Sequence, residues 1–206
     1  MQVSSPWKTF HIRPEDECEV GDFYDSGEVQ RYSQSNAMRR IQRDLTLRAL
    51  DLARFPLNSK ILDAGCGSGF SLEILKEVGY KKIYGFDLLP AFVAEAKKRG
   101  FKNVKVGDLR QFPFSAAEKF DGIISISALQ WVSVHGEKEV EKVAVEFFSH
   151  LITGGSAVVQ FYPKSEGELM SVAKVFRAIG FKVKMITENP GNARKRKSFL
   201  LLYKEF

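Results

Sequence analysis

Lys60-Ile61-Leu62-Asp63-Ala64-Gly65-Cys66-Gly67-Ser68-Gly69-Phe70 is a short apolar run, a glycine-rich turn and the opening of a helix. The helix is expected over residues 71–78, with Lys76 in its last turn and Gly79 as its cap. Three alternating glycines let the backbone pass close to a ligand where any Cβ would collide. The helix start behind them adds unpaired N–H groups. Spacing then separates the nucleotide classes. A dinucleotide fingerprint reads G-x-G-x-x-G, but here position 70 is Phe. A P-loop closes on Gly-Lys-Ser/Thr, and no lysine stands there. Asp63 sits two residues ahead of Gly65, where it would repel a pyrophosphate. An acid at that point suits a ligand with a cationic end.

Asp63, Gly65, Gly67 and Gly69 form a D-x-G-x-G-x-G pattern. It resembles motif I of the class I S-adenosylmethionine-dependent methyltransferases. The resemblance implies that Gly65, Cys66, Gly67 and Gly69 cradle the amino-acid end of S-adenosylmethionine, with Asp63 answering its ammonium. The product would be S-adenosylhomocysteine.

The next motifs fall into series. A second strand over 82–87 ends in Asp87. Ligands of α/β sheets bind outside the carboxyl ends of strands, and a carboxylate there can accept both hydroxyls of a ribose. Leu88 and Leu89 can lie against the adenine. A third strand near 102–106 leads to Asp108 and Leu109. Asp108 resembles the family's adenine-binding acid. A fourth strand over 120–126 is apolar enough to be central. The segment Ser125 to Val132 leaves its carboxyl end, where the transferable methyl should face the substrate. Tyr32, Arg40 and Ser125 complete the expected cofactor set.

Between these strands run helical periods. Met38, Ile41, Leu45, Ala49 and Leu52 make one apolar face over 35–54, opposite Arg39, Arg40, Arg43 and Arg48. Further helices are expected over 90–99, 137–151 and 165–179. Gly154-Gly155 reads as a turn into a fifth strand over 157–162. Strands over 181–187 and 198–204 read as a closing hairpin. Strands alternating with helices give a three-layer α/β/α sandwich. The expectation is a Rossmann-like fold on a mostly parallel seven-stranded sheet, as one domain over 1–206. Residues 1–34 are its N-terminal arm and 35–206 its core. The first 26 residues lack a clear period, but Trp7, Phe10, Phe23 and Tyr24 argue that this irregular stretch docks.

The whole chain narrows the partners. Its 206 residues are 44% hydrophobic and 27% charged, as in ordinary globular domains. No run of eighteen apolar residues exists, so no membrane span is expected. The opening Met1 to Trp7 lacks the apolar centre of a signal peptide. Cys18 and Cys66 make neither a metal-spaced pair nor a disulfide framework, so no metal site and a cytoplasmic address are the expectation. The net charge of +6 leans weakly toward a polyanion.

The resemblance narrows further on five segments: residues 37–50, 61–72, Ser125 to Trp131, Gln160 to Pro163, and Asn192 to Phe199. Together they are similar to the eukaryotic and archaeal methyltransferases of guanine N7 in small-subunit ribosomal RNA. Guanine N7 carries an in-plane lone pair and no proton, so no acid or base residue is required. The base would be held in its plane by Gln130, Trp131 and Tyr162, with Phe112 or Phe114 as further candidates. Arg194, Lys195, Arg196 and Lys197 would hold phosphates of the RNA or pre-ribosome, with the Arg39, Arg40 and Arg43 face. The resemblance also implies a small zinc-binding activator protein that pairs with the third strand through Val104 and Val106. Eukaryotic members carry a basic C-terminal extension absent here, which implies an archaeal, cytoplasmic setting. Two other readings share the fold: a methyltransferase of a small molecule or protein, and a non-catalytic ribosome-assembly factor.

Overall fold

A computed structural model describes residues 13–205. Strands β1 (Lys60–Ala64), β2 (Lys82–Asp87), β3 (Val104–Val106), β4 (Phe120–Ile126), β5 (Leu151–Phe161), β6 (Lys182–Glu188) and β7 (Lys197–Tyr203) form one sheet. Their order is β3-β2-β1-β4-β5-β7-β6. The first five run parallel, while β7 lies antiparallel between β5 and β6, so the sheet is mixed. Strand order reverses between β1 and β4, which opens a crevice at their carboxyl ends.

Helices cover both faces. On one side lie α4 (Asn36–Ala53), α5 (Phe70–Val78) and α6 (Pro90–Lys98); on the other, α8 (Glu137–His150) and α9 (Glu166–Ile179). Side chains alternate across a strand, and the chain uses this to feed two cores. Ile61, Ile124, Val158 and Phe199 pack with Leu45, Ala49 and Leu75. Their neighbours Leu62, Ile123, Val159 and Leu200 pack with Phe147, Val172 and Phe176. That double-sided apolar run is why these strands read as continuous hydrophobic segments.

The helix ends follow the chemistry of their caps. Gly79 at φ +117° receives α5, and Ser35 caps α4 by accepting the N–H of Met38 at 3.2 Å. Pro90 opens α6.

Four expectations need revising. The N-terminal stretch is not irregular where it is described: α1 (Pro14–Glu17), α2 (Val20–Phe23) and α3 (Ser26–Gln34) succeed one another, too short for a sequence period. Asp25 starts α3 by accepting the N–H of Glu28 at 2.7 Å. Trp7 and Phe10 lie outside the described residues. A one-turn helix α7 (Gln130–Ser133) follows β4. The Gly154-Gly155 pair is no turn before β5 but an irregularity inside it. Register shifts between Phe120↔Leu151 and Gly122↔Ser156, and Gly154 at φ +79° donates to the Lys204 carbonyl at 2.8 Å. Finally, β3 starts at Val104, not at 102. Among the described residues no helix is long and apolar enough to cross a membrane, and no metal-binding cluster occurs.

Candidate cofactor and acceptor site

The glycine loop between β1 and α5 forms the floor of the crevice. Gly65, Gly67 and Gly69 have φ of +83°, +53° and +91°, a region that L side chains avoid. At Gly65 the reason is also contact, since a Cβ would lie 2.5 Å from the Cβ of Ala128. At Gly67 a Cβ would meet only open space. The loop is tied to β2 by two bonds to the Phe86 carbonyl, from Gly65 N–H and Cys66 N–H at 2.9 Å each.

Above this loop is a cavity of about 300 Å³. Its wall includes Gly65, Cys66, Gly67, Asp87, Leu88 and Leu109, with Tyr32 and Asp108. Asp87 accepts the N–H of Gly67 at 2.8 Å on one oxygen and that of Leu89 at 3.0 Å on the other. Burial pushes its carboxyl up to about 6, against the two N–H bonds. Asp108 is gripped by Arg110: Oδ1 accepts from its N–H at 2.8 Å and its Nε at 2.9 Å, and Oδ2 from Nη2 at 2.6 Å. Burial works against ionisation there, but these Arg110 bonds outweigh it and hold Asp108 below the usual range.

Asp63 is placed differently from the expectation. It is fully buried, lies behind the loop and is not on the cavity wall. The hydroxyl of Ser71, a residue of the cavity wall, donates to its Oδ2; its Oδ1 has no hydrogen-bond partner among the described residues. Burial pushes the carboxyl up to about 7; the Asp87 charge adds to this and Ser71 opposes it. An orphaned buried carboxylate oxygen beneath a bare-backbone loop fits a cationic ligand group.

Three expected cofactor residues are elsewhere. Gly69 lines neither cavity: it caps α5 and faces α6, where a Cβ would lie 3.2 Å from the Cβ of Ala96. Ser125 is fully buried within β4, paired with Val159, and lines neither cavity. Ser127, beyond the end of β4, lines the cavity instead. Arg40 stands on the exposed side of α4 away from both cavities, whereas Met38 and Ile41 reach the cavity. Ile41 is 45% exposed, not part of the core. Arg39 and Arg43 are ion-paired with Glu73 and Glu77 of α5. Phe112 and Phe114 pack into the core against Phe86 and Phe120.

A second cavity, of about 820 Å³, adjoins the first. The two share Tyr24, Tyr32, Met38, Gln130, Trp131 and Tyr162 as a common wall. Trp131 is held by Phe23 and Tyr24, with ring centroids 5.7 and 5.9 Å away. Burial pushes the Tyr24 hydroxyl up to about 12. Arg194 and Arg196, in the loop between β6 and β7, line the outer part. Lys195 is exposed beside them, and Lys197 opens β7. Sequence reasoning missed Tyr24 as a wall residue, Ser127, and the grip of Arg110 on Asp108. The signals were present: an aromatic in a helical arm, a serine one residue past a strand, and an Asp-Leu-Arg spacing.

A parallel-strand crevice, a tight glycine loop with an acid behind it and acids at the next two strand tips define a class I S-adenosylmethionine-dependent methyltransferase. Comparison with known proteins agrees. A model described as "Methyltransferase domain" matches residues 62–159. The magnesium protoporphyrin IX methyltransferase from Synechocystis PCC 6803, solved with bound S-adenosylhomocysteine, shares the fold at TM-score 0.65. It is 17% identical, over 90% of this chain and 98% of that one. The chain is 33% identical over 186 residues to the 18S rRNA (guanine(1575)-N(7))-methyltransferase of Saccharomyces cerevisiae, covering 86% of this chain and 67% of that protein. With the 18S rRNA (guanine-N(7))-methyltransferase of Mus musculus it shares 33% over 201 residues, 93% of this chain and 71% of the relative. The chain belongs to the family of the 18S rRNA guanine-N7 methyltransferases.

Proposed function

We propose that the chain transfers a methyl group from S-adenosylmethionine to N7 of a guanine in small-subunit ribosomal RNA. The observation that carries this reading is the shared wall of Gln130, Trp131 and Tyr162, with a glycine-loop cavity on one side and a cavity edged by Arg194 and Arg196 on the other. Gly65, Cys66 and Gly67 would hold the amino-acid end of the cofactor, with Gly69 turning the loop into α5 and Asp63 supplying negative charge from behind. Asp87 would take the ribose hydroxyls on its remaining lone pairs, and Leu88, Asp108 and Leu109 the adenine. When bound, the cofactor supplies an electrophilic methyl on a positive sulfur.

The protein's part is alignment and exclusion of water. Guanine N7 attacks with its own lone pair, so no side chain moves a proton. Trp131 and Tyr162 would hold the base in plane by stacking, and Arg194 to Lys197 would hold flanking phosphates. The chain would act as one unit, with the described part of its N-terminal arm, residues 13–34, contributing to the cavity walls. It would work in the cytoplasm on an assembling small subunit.

The test is to map N7-methylguanosine in small-subunit RNA from cells lacking the gene and to assay methyl transfer to that RNA in vitro. The modification should vanish and the RNA should accept label; an unchanged map, or transfer only to metabolites, would sink the acceptor assignment.

A small zinc-binding activator would add a strand beside β3. That strand is at the sheet edge; Val106 is 49% exposed, whereas Val104, expected to share the pairing, is buried, and an uncovered strand edge invites pairing. Cofactor affinity should rise when the activator is present, and equal affinity with and without it would count against the pairing.

A further inference from the structure

We infer that Arg31 of the N-terminal arm grips an RNA phosphate at the second cavity, held ready for it by Glu28, an inference resting on the RNA-acceptor reading above. That cavity is lined by cations from two unrelated parts of the chain. The loop between β6 and β7 brings Arg194 and Arg196, and the arm brings Arg13 and Arg31. Both β5 and β6 run antiparallel to β7, so the loop that follows β6 stands at the carboxyl end of β5. At the same end α3 contributes Tyr32 to both cavities and Glu28 and Arg31 to the second.

The two arm arginines differ in what holds them. The side chain of Arg13 is 13% exposed and engaged by the protein: it donates to the Tyr162 carbonyl and pairs with Glu15 at 3.3 Å and Asp16 at 3.5 Å. The side chain of Arg31 is 75% exposed. Among the described residues its charged partner is Glu28, one turn back on α3: Nε donates to Oε2 at 2.8 Å and Nη2 to Oε1 at 2.6 Å. A guanidinium receives a phosphate through the same two-pronged geometry. Glu28 therefore occupies the place that a phosphate oxygen pair would take. An exposed ion pair within one helix is weak, so a phosphate can displace it.

A nucleotide whose base enters the cavity carries a phosphate on each side of its sugar. Arg194 can take one from the β6–β7 loop while Arg31 takes the other from the arm. Once displaced, the Glu28 carboxylate stays beside the bound phosphate and repels it. The pair thus orients Arg31 in the free protein and restrains RNA affinity in the complex.

Binding of small-subunit RNA across a salt series by wild type, Arg31→Ala, Arg31→Lys and Glu28→Gln tests this. Arg31→Ala should lower the slope of log affinity against log salt by about 0.7, the share of one single-strand phosphate. Arg31→Lys keeps the charge and should retain the wild-type slope. Glu28→Gln should bind RNA about two- to fivefold tighter at low salt, the scale of one unit charge a few ångströms away in water. A purely structural ion pair predicts no such gain. Affinity for S-adenosylhomocysteine should stay within about twofold of wild type in all three, as for other surface substitutions. A wild-type slope in Arg31→Ala, or RNA binding no tighter than wild type in Glu28→Gln, overturns the inference. If Arg31→Ala fails to bind S-adenosylhomocysteine, Glu28→Gln decides alone. Wild type whose RNA binding shows no salt dependence would instead overturn the RNA-acceptor reading, and this inference with it.

Discussion

Asp87, at the tip of β2, accepts the backbone N–H of Gly67 at 2.8 Å. The same carboxylate proposed to take the ribose hydroxyls is thus a strut of the glycine loop. Asp87→Ala removes this bond and the one from Leu89. Hydrogen bonds to a charged group contribute about 1.5–3 kcal/mol each, so affinity for S-adenosylhomocysteine should fall by at least about tenfold. Amide exchange at Gly67 should also quicken. Unaltered exchange there would show that the loop stands without Asp87.

The buried Asp63 gives a pH dependence with a definite sign. Its carboxyl is raised from 3.8 to about 7, so the fold holds this proton more tightly than the unfolded chain does. Its stabilisation is complete below about pH 4 and is lost as pH climbs toward 7. Asp63→Asn should flatten the fall of the urea midpoint across that interval. Binding a cationic ligand end favours the ionised carboxylate, so wild type should release protons on binding near pH 6.5, within the interval that ends at about 7. Titration in buffers of different ionisation enthalpy reads this directly, and Asp63→Asn should abolish the Asp63 share of that release.

Gly65 and Gly67 separate two reasons for a glycine. A Cβ at 65 meets Ala128 at 2.5 Å, while at 67 it meets nothing within 4 Å. Gly65→Ala should abolish measurable cofactor binding and lower the melting temperature. Gly67→Ala carries mainly the left-handed backbone strain of about 1–2 kcal/mol and should keep the fold. Equal thermal shifts in the two variants would contradict this.

Arg194 and Lys195 offer a salt-dependence test. If both sit on phosphates, the double alanine variant should lower the slope of log affinity against log salt by about 1.5. Its affinity for S-adenosylhomocysteine should stay unchanged. An unchanged slope would place the RNA path on another face.

The sheet was readable because β1 and β4 carry the apolar pairs Ile61-Leu62 and Ile123-Ile124, and β2 the run Ile83 to Phe86, between helical periods. Asp87 and Asp108 were readable because the first ends β2 and the second lies just past β3. What sequence missed has physical causes. Ser125 and Ser127 look equivalent, but β4 is covered on both faces, which buries the first, while the second lies past the strand's end and is half-buried. Met38 and Ile41 continue the α4 stripe seamlessly, yet there the sheet beneath ends and the cavity begins. The one-turn helices α1, α2 and α7 are too brief to show a period. Tertiary pairings such as Arg43 with Glu77 join residues far apart in sequence.

The inward place of β7 has a bearing on how the protein is born. A strand made after both of its neighbours wedges between β5 and β6. On the translating ribosome, β5 must therefore wait with one flank open until the strand Lys197–Tyr203 has emerged. The Arg194 to Lys197 loop, which leads into that strand, is mounted only at that closing step. A nascent chain thus gains its cationic rim late, which limits premature capture of the polyanion that surrounds it during synthesis.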